Sequence, residues 1–238
     1  MSNENLSEQE IIRRDKLAQL TQLGIDSYPA AQYVITTHAA DIKKNYSEEK
    51  KEDFADVSLA GRIMGIRDMG KASFAVLQDS TGKIQLYVRR DDIAPGEDKT
   101  LYNTVWKKLL DIGDIIGVRG FVFTTKTGEI SVHVKSLILL SKALRPLPVV
   151  KEKEGETFDE VTDPEFRYRQ RYADLIVNPG VKETFIKRTK MINGIREFLN
   201  SRGALEVDTP VLQSIPGGAA AKPFITHHNA LNIPLYLR

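Results

Sequence analysis

The sequence contains no cysteine, so disulfides, thiolate metal sites and thiol nucleophiles are excluded. It has no apolar run long enough to span a bilayer, and its first residues, MSNENLSEQE, are polar and acidic rather than those of a signal peptide. A soluble, cytoplasmic protein with no membrane partner is the expectation. Net charge is also scarce, at +2, but its distribution is uneven. Residues 1–56 carry 7 basic and 11 acidic side chains, residues 57–148 carry 14 and 9, and residues 149–238 carry 13 and 12. The positive balance sits in the middle segment and points to a polyanionic partner. With 238 residues, 41% of them hydrophobic, the chain can bury one large core or two modest ones. Two domains are expected.

Ser7 and Glu10 have the spacing of a capping box, and Ile11, Leu17, Leu20 and Leu23 suit an amphipathic helix that stops at Gly24. Residues 25–56 read as irregular and charged. From Val57 the pattern changes to strands: VSLAGRIMGI, SFAVLQD and KIQLYVRR, then a helical stretch from Lys99 to Leu110, then DIIGVRGFVFTT, a turn at KTGE, and ISVHVKSLILL. Three strands, a helix and two strands is the order of an OB-fold β-barrel, which is assigned to residues 57–141.

The stretch SFAVLQDSTGKIQLYVR, residues 73–89, reads as a β-hairpin around Asp79-Ser80-Thr81-Gly82. Symmetrical closure pairs Gln78 with Lys83, Val76 with Gln85 and Phe74 with Tyr87. Ala75, Leu77, Ile84 and Leu86 then share one face, and Phe74, Val76, Gln85 and Tyr87 the other. The first set is a core face. The second is an aromatic and amide stripe flanked by Lys83 and Arg89, of the kind on which an OB barrel binds single-stranded nucleic acid. Phe74 is placed to stack on a base and Gln85 to read its edge. Arg62 and Glu129 are candidates for a phosphate or base-edge contact and an acceptor. The competing reading packs Phe74 and Tyr87 beneath the N-terminal helix.

Beyond the barrel, residues 142–163 mix Pro, Gly and both charges and read as a linker. PEFRYRQRYADLI looks helical, Asn178-Pro179-Gly180 breaks it, and Val181 to Ser201 forms a longer helix that Gly203 ends. That helix carries Phe185, Ile192, Ile195 and Phe198 or Leu199 on or near one face. The remainder is extended chain around Pro210 and a Pro-Gly-Gly loop. Gly217 and Gly218 let backbone approach a ligand closely, though such a loop is more often a plain turn. His227 and His228 are adjacent in an extended segment and so face opposite ways, which argues against a shared metal.

Taken in order, GKASFAVLQDSTGKIQLYV, KTGEISVHV, KALRPLP, RYRQRYADLI, RGALEVDTPVL and PGGAAAKPFITHHNAL closely resemble a class II lysyl-tRNA synthetase of the bacterial type. The resemblance implies an α+β protein: an N-terminal helical extension (1–56), an OB-fold anticodon-binding domain (57–148), a linker (149–163) and the start of a class II catalytic domain, an antiparallel sheet with helices (164–238). It implies that the tRNA(Lys) anticodon loop is a partner, with Phe74 stacking on the central uridine, Gln85 reading its edge, and Arg62 and Glu129 nearby. RGALEVDTPVL corresponds to the family's first motif, with Pro210 at a homodimer interface; Ala204 departs from the usual aromatic. Gly217 would lie against the lysine substrate. ATP and Mg²⁺ serve the complete enzyme, but the second and third motifs that hold them are not in these 238 residues, so this chain alone is expected not to form lysyl-adenylate. The alternative is a stand-alone OB-fold RNA-binding module with a dimerising catalytic remnant.

Overall fold

The computed structural model describes residues 6–148, 151–153, 156–158, 161–178, 180–216 and 222–237, without side chains for 151–153 and 156–158. The chain divides into two compact units, Met1–Asn178 and Pro179–Arg238.

The first helix, α1 (Glu8–Gln22), opens on the expected capping box: the Ser7 hydroxyl accepts from the Glu10 amide at 3.3 Å, and the Glu10 carboxylate accepts from the Ser7 amide at 3.0 Å. Its docking differs from the amphipathic reading, because Ile11, Ile12 and Leu23 are exposed. The docked face carries Arg13, Lys16 and Leu20, three to four residues apart. Arg13 donates to the Ala143 and Ile112 carbonyls, both at 2.9 Å, Lys16 pairs with Asp111 at 2.5 Å, and only Leu20 enters the core.

Residues 25–56 are more ordered than their composition suggested. They contain α2 (Ala39–Asn45) and a 3-10 segment, Glu48–Phe54. His38, at the N-cap of α2, makes no side-chain cap. The helix is capped from 40 residues away: Asp79 Oδ2 accepts from the Ala39 amide at 2.7 Å and Thr81 Oγ1 from the Ala40 amide at 3.1 Å.

Strands β1 (Val57–Asp68), β2 (Ala72–Gln78), β3 (Lys83–Arg89), β4 (Ile115–Thr124) and β5 (Ile130–Ser141) close a barrel in the order β1-β2-β3-β5-β4. The pairing of β3 with β5 is parallel. Between β3 and β4 lie the short helix α3 (Arg90–Ile93) and a π-type helix, Leu101–Leu109, which buries Tyr102, Val105, Trp106 and Leu109. The β2–β3 register is the expected one, with Gln78 opposite Lys83, Val76 opposite Gln85 and Phe74 opposite Tyr87. Ala75, Leu77, Ile84 and Leu86 are buried in the core.

The segment read as a linker is anchored at its start, where the buried Lys142 ammonium lies 2.8 Å from Asp114 and 2.6 Å from Asp111. It also contains a two-stranded sheet, β6 (Lys151–Lys153) with β7 (Glu156–Phe158). The helical stretch that follows is two helices, α4 (Pro164–Arg169), capped by Asp163, and α5 (Arg171–Val177), separated at Gln170. Both belong to the barrel's unit. The Gln78 amide on β2 donates to the Ile176 carbonyl at 3.1 Å.

Buried Asp174 holds this corner together. It accepts from Arg167 Nε at 2.9 Å, from Asn178 Nδ2 at 2.7 Å and from the Arg171 guanidinium. Burial pushes its carboxyl up, but the bonds from Asn178 and Arg167 and the charges of Arg167 and Arg171 outweigh that, and the net shift is downward. A depressed folded-state pKa stabilises above the unfolded value of 3.8 and the contribution is lost as pH falls through the lower folded value. Acidification below 3.8 is therefore expected to loosen α4 and α5 in the native protein but not in Asp174→Asn, which has no charge to lose. Hydrogen exchange across residues 164–177 at pH 7 and pH 3 measures this.

In the second unit, α6 (Val181–Ser201) has no buried residue, and β8 (Leu212–Gln213), β10 (Ile233–Leu237) and β9 (Ile225–His228) form an antiparallel sheet in that order. Among the described residues no helix is long and apolar enough to cross a membrane.

Candidate nucleic-acid interface

The outer face of the β2–β3 hairpin forms one side of an open groove of about 780 Å³. Phe74, Val76, Gln85 and Tyr87, the four residues of the expected stripe, all line it. They point outward because their neighbours Ala75, Leu77, Ile84 and Leu86 point inward, and alternation leaves no other choice. Both Phe74 and Tyr87 line this open groove, to which α1 contributes no residue. Their rings lie 5.1 Å apart, and Tyr87 meets Phe123 of β4 edge to face at 5.9 Å. The Gln85 amide donates to Ser131 Oγ at 2.9 Å, which fixes the side chain and leaves its carbonyl oxygen with no protein donor among the described residues.

Two of the sequence-derived candidates sit elsewhere. Arg62 does not line the groove. It lies opposite Gln78 and Ile115, and its guanidinium donates to the Gly113 carbonyl at 2.6 Å. Burial lowers its pKa, with the Asp114 carboxylate acting the other way. The groove's arginine is Arg67, exposed and directly opposite Phe74. A bulge between Ile63 and Gly65 shifts the β1 register, so the relevant end of β1 could not be read from the β2–β3 hairpin alone. Glu129 also lies off the groove lining and pairs with Lys43 of α2 at 3.3 Å, both groups about half exposed. The opposite rim is formed by Thr125, Lys126 and Thr127 of the β4–β5 turn. Phe123, Arg67 and Lys126 line the groove and were not among the sequence-derived candidates; the signal for Phe123 was its outward place in the alternation of GFVFTT. The groove thus joins flat apolar rings, one fixed amide and a cation at either side, which suits stacked bases on a phosphate backbone.

In the second unit Pro210 is exposed in extended chain, and Gly217 lies outside the described residues. Leu205, Val207, Val211 and Phe224 are all more than half exposed. His227 bonds to Asn232 at 3.1 Å and His228 Nδ1 accepts from the Leu231 amide at 3.2 Å. Among the described residues no group of three or more His, Asp or Glu side chains is arranged to hold a metal ion.

Residues 57–140 match the family model of an OB-fold nucleic acid binding domain, and residues 163–238 match that of the class II tRNA synthetases of the D, K and N group. The barrel is thus similar to OB-fold nucleic acid binding domains, and the segment that follows it to class II tRNA synthetases. Within that group it is similar to lysine–tRNA ligases. That of Porphyromonas gingivalis strain W83 is 64% identical over 98% of this chain and 40% of its own length. Those of Azobacteroides pseudotrichonymphae and Christiangramia forsetii are 60% and 59% identical, with 46% and 41% of their lengths covered. The chain therefore spans less than half the length of these relatives. The synthetase match begins at residue 163, whereas the first compact unit runs to Asn178, so α4 and α5 fall within the synthetase match by sequence and within the barrel's unit by packing.

Proposed function

We propose that the barrel reads the anticodon loop of a lysine tRNA, as part of a cytoplasmic, homodimeric lysine–tRNA ligase that joins lysine to that tRNA with ATP. The observation that carries this is the groove itself, in which Phe74, Tyr87 and Gln85 are presented together by two core-locked strands. Phe74 stacks on the central uridine. The free carbonyl of Gln85 accepts from the uridine N3–H, a donor that cytidine lacks. Arg67 and Lys126 hold phosphates on either side. Glu129 joins the site if RNA draws it away from Lys43.

The division into an N-terminal extension, barrel, linker and catalytic region at residues 56, 148 and 163 is part of the same proposal. So is a dimer contact around Pro210, which the exposed apolar side chains of the second unit favour. Gly217 is proposed to lie against lysine. The described residues do not fit a magnesium site, so no chemical step is assigned to them.

The full chain is expected to bind a stem-loop RNA with a central loop uridine more tightly than the same RNA with cytidine there, and both more weakly as salt rises. Fluorescence anisotropy with the two RNAs decides it. Equal affinities would refute the edge reading while leaving the stack intact, and no binding of either would refute the site.

A further inference from the structure

Beside the groove, opposite Tyr87 on the neighbouring strand, stands His133 of β5, a side chain that the groove reading does not use. Its ring stacks on Phe121 at 4.7 Å, meets Tyr87 edge to face at 5.1 Å and lies 5.8 Å from Phe123. Tyr87 and Phe123 are groove-lining rings, and Tyr87 in turn touches Phe74. At its far end His133 Nε2 is 2.7 Å from Asp92 Oδ2 on α3, and both side chains are more than four-fifths buried. The other Asp92 oxygen takes Lys135 at 3.0 Å, and the Lys135 ammonium lies 5.7 Å from the Phe121 ring centre. Burial raises the Asp92 pKa, but the bonds from His133 and Lys135 lower it further. Asp92 is thus an ionised acceptor, and Nε2 carries the proton. Strand β4 runs close against β5 here, so that a Cβ on Gly120 would collide with the His133 backbone carbonyl.

An imidazole can stack on one ring and meet another edge to face while a ring N–H ties its tip to a carboxylate, and it does so in less space than an indole. A phenyl ring here would fill the space but leave Asp92 short of a donor and the ring unanchored. We propose that His133, fixed by Asp92, is a positioning residue of the groove: it sets the orientation of Tyr87 and Phe123, and through Tyr87 that of Phe74, before RNA arrives. Presetting these rings removes the cost of ordering them on binding. The proposal rests on the groove being an RNA site.

His133→Gln keeps a donor for Asp92 and removes the ring; His133→Phe keeps a ring and removes the donor; Asp92→Asn weakens the anchor without touching the ring. In the full chain, the ¹³C-resolved Tyr87 ring resonances of the RNA-free protein are expected to shift in all three. Affinity for the uridine stem-loop should fall by roughly 3- to 10-fold in His133→Gln, the scale of one or two aromatic contacts, and less in Asp92→Asn. A 2-aminopurine placed at the central loop position should be quenched less in each bound variant than in bound native protein. If His133→Gln and Asp92→Asn leave the Tyr87 resonances and the bound 2-aminopurine signal unchanged, the positioning role is overturned. If the resonances move but affinity and quenching do not, it is overturned as well. Should His133→Gln fail to fold, Asp92→Asn alone decides on the same readouts. Native protein that binds no RNA, with Tyr87 resonances that still follow His133, would instead refute the groove's function and leave the ring-setting intact.

Discussion

Leu77→Ala is expected to destabilise the barrel by about 2–5 kcal/mol, whereas Phe74→Ala, three residues earlier on the same strand, is expected to leave the fold largely intact and weaken RNA binding by about 1–3 kcal/mol. Leu77 is fully buried in the barrel core, and its removal leaves a cavity that the surrounding strands cannot close. Phe74 lies on the groove side, half-buried, with Tyr87 as its ring neighbour. Thermal melting and stem-loop affinity would be measured on both variants, with affinities taken well below either melting temperature. A Phe74→Ala protein that melts as early as Leu77→Ala, yet binds RNA normally when folded, would make Phe74 a core residue and abolish the binding stripe.

The other large effect lies at the opposite side of the unit. Asp114→Ala is expected to cost about 3–5 kcal/mol, because it strips a partner from a buried ammonium. Asp114 Oδ2 accepts from Lys142 Nζ at 2.8 Å and from the Asp111 amide at 2.8 Å, and Oδ1 from the Ala143 amide at 2.8 Å. Both Asp114 and Lys142 side chains are excluded from solvent. The same turn supplies Asp111 to Lys16 and the Ile112 carbonyl to Arg13, so the loss is expected to loosen α1 as well. Asp56→Ala, which breaks an ion pair with Arg119 between two exposed groups, should leave the denaturation midpoint unmoved. Urea unfolding of the two variants separates a buried network from a screened pair. Equal midpoints would mean that Lys142 finds sufficient compensation in Asp111 alone.

Several features were legible in the sequence because they depend on near neighbours. The Ser7–Glu10 box is a contact three residues long, and α1 begins there. The β2–β3 register follows from turn length and period-2 alternation, and so the placing of Leu77 inward and of Phe74, Gln85 and Tyr87 outward required no knowledge of the rest of the barrel. The order of strands and helix was enough to identify the OB barrel, since few closed arrangements fit that order. What escaped the sequence depends on residues brought together from far apart. Helix α2 carries no local cap and is fixed by Asp79 and Thr81. The docked face of α1 is chosen by the carbonyls of Ile112 and Ala143 and the carboxylate of Asp111 together with buried Leu20, while Ile11, Ile12 and Leu23 stay exposed. A bulge in β1 put Arg67 rather than Ile66 opposite Phe74, while Arg62, ahead of the bulge, stays opposite Gln78. The support for the groove rings from His133 and Asp92 exists only because β3 and β5 meet in parallel and close the barrel. Local chemistry determined which elements form and which way their side chains face. Long-range closure decided which charged groups each element meets, because a polar side chain takes its partner from the fold, and no spacing along the chain specifies it.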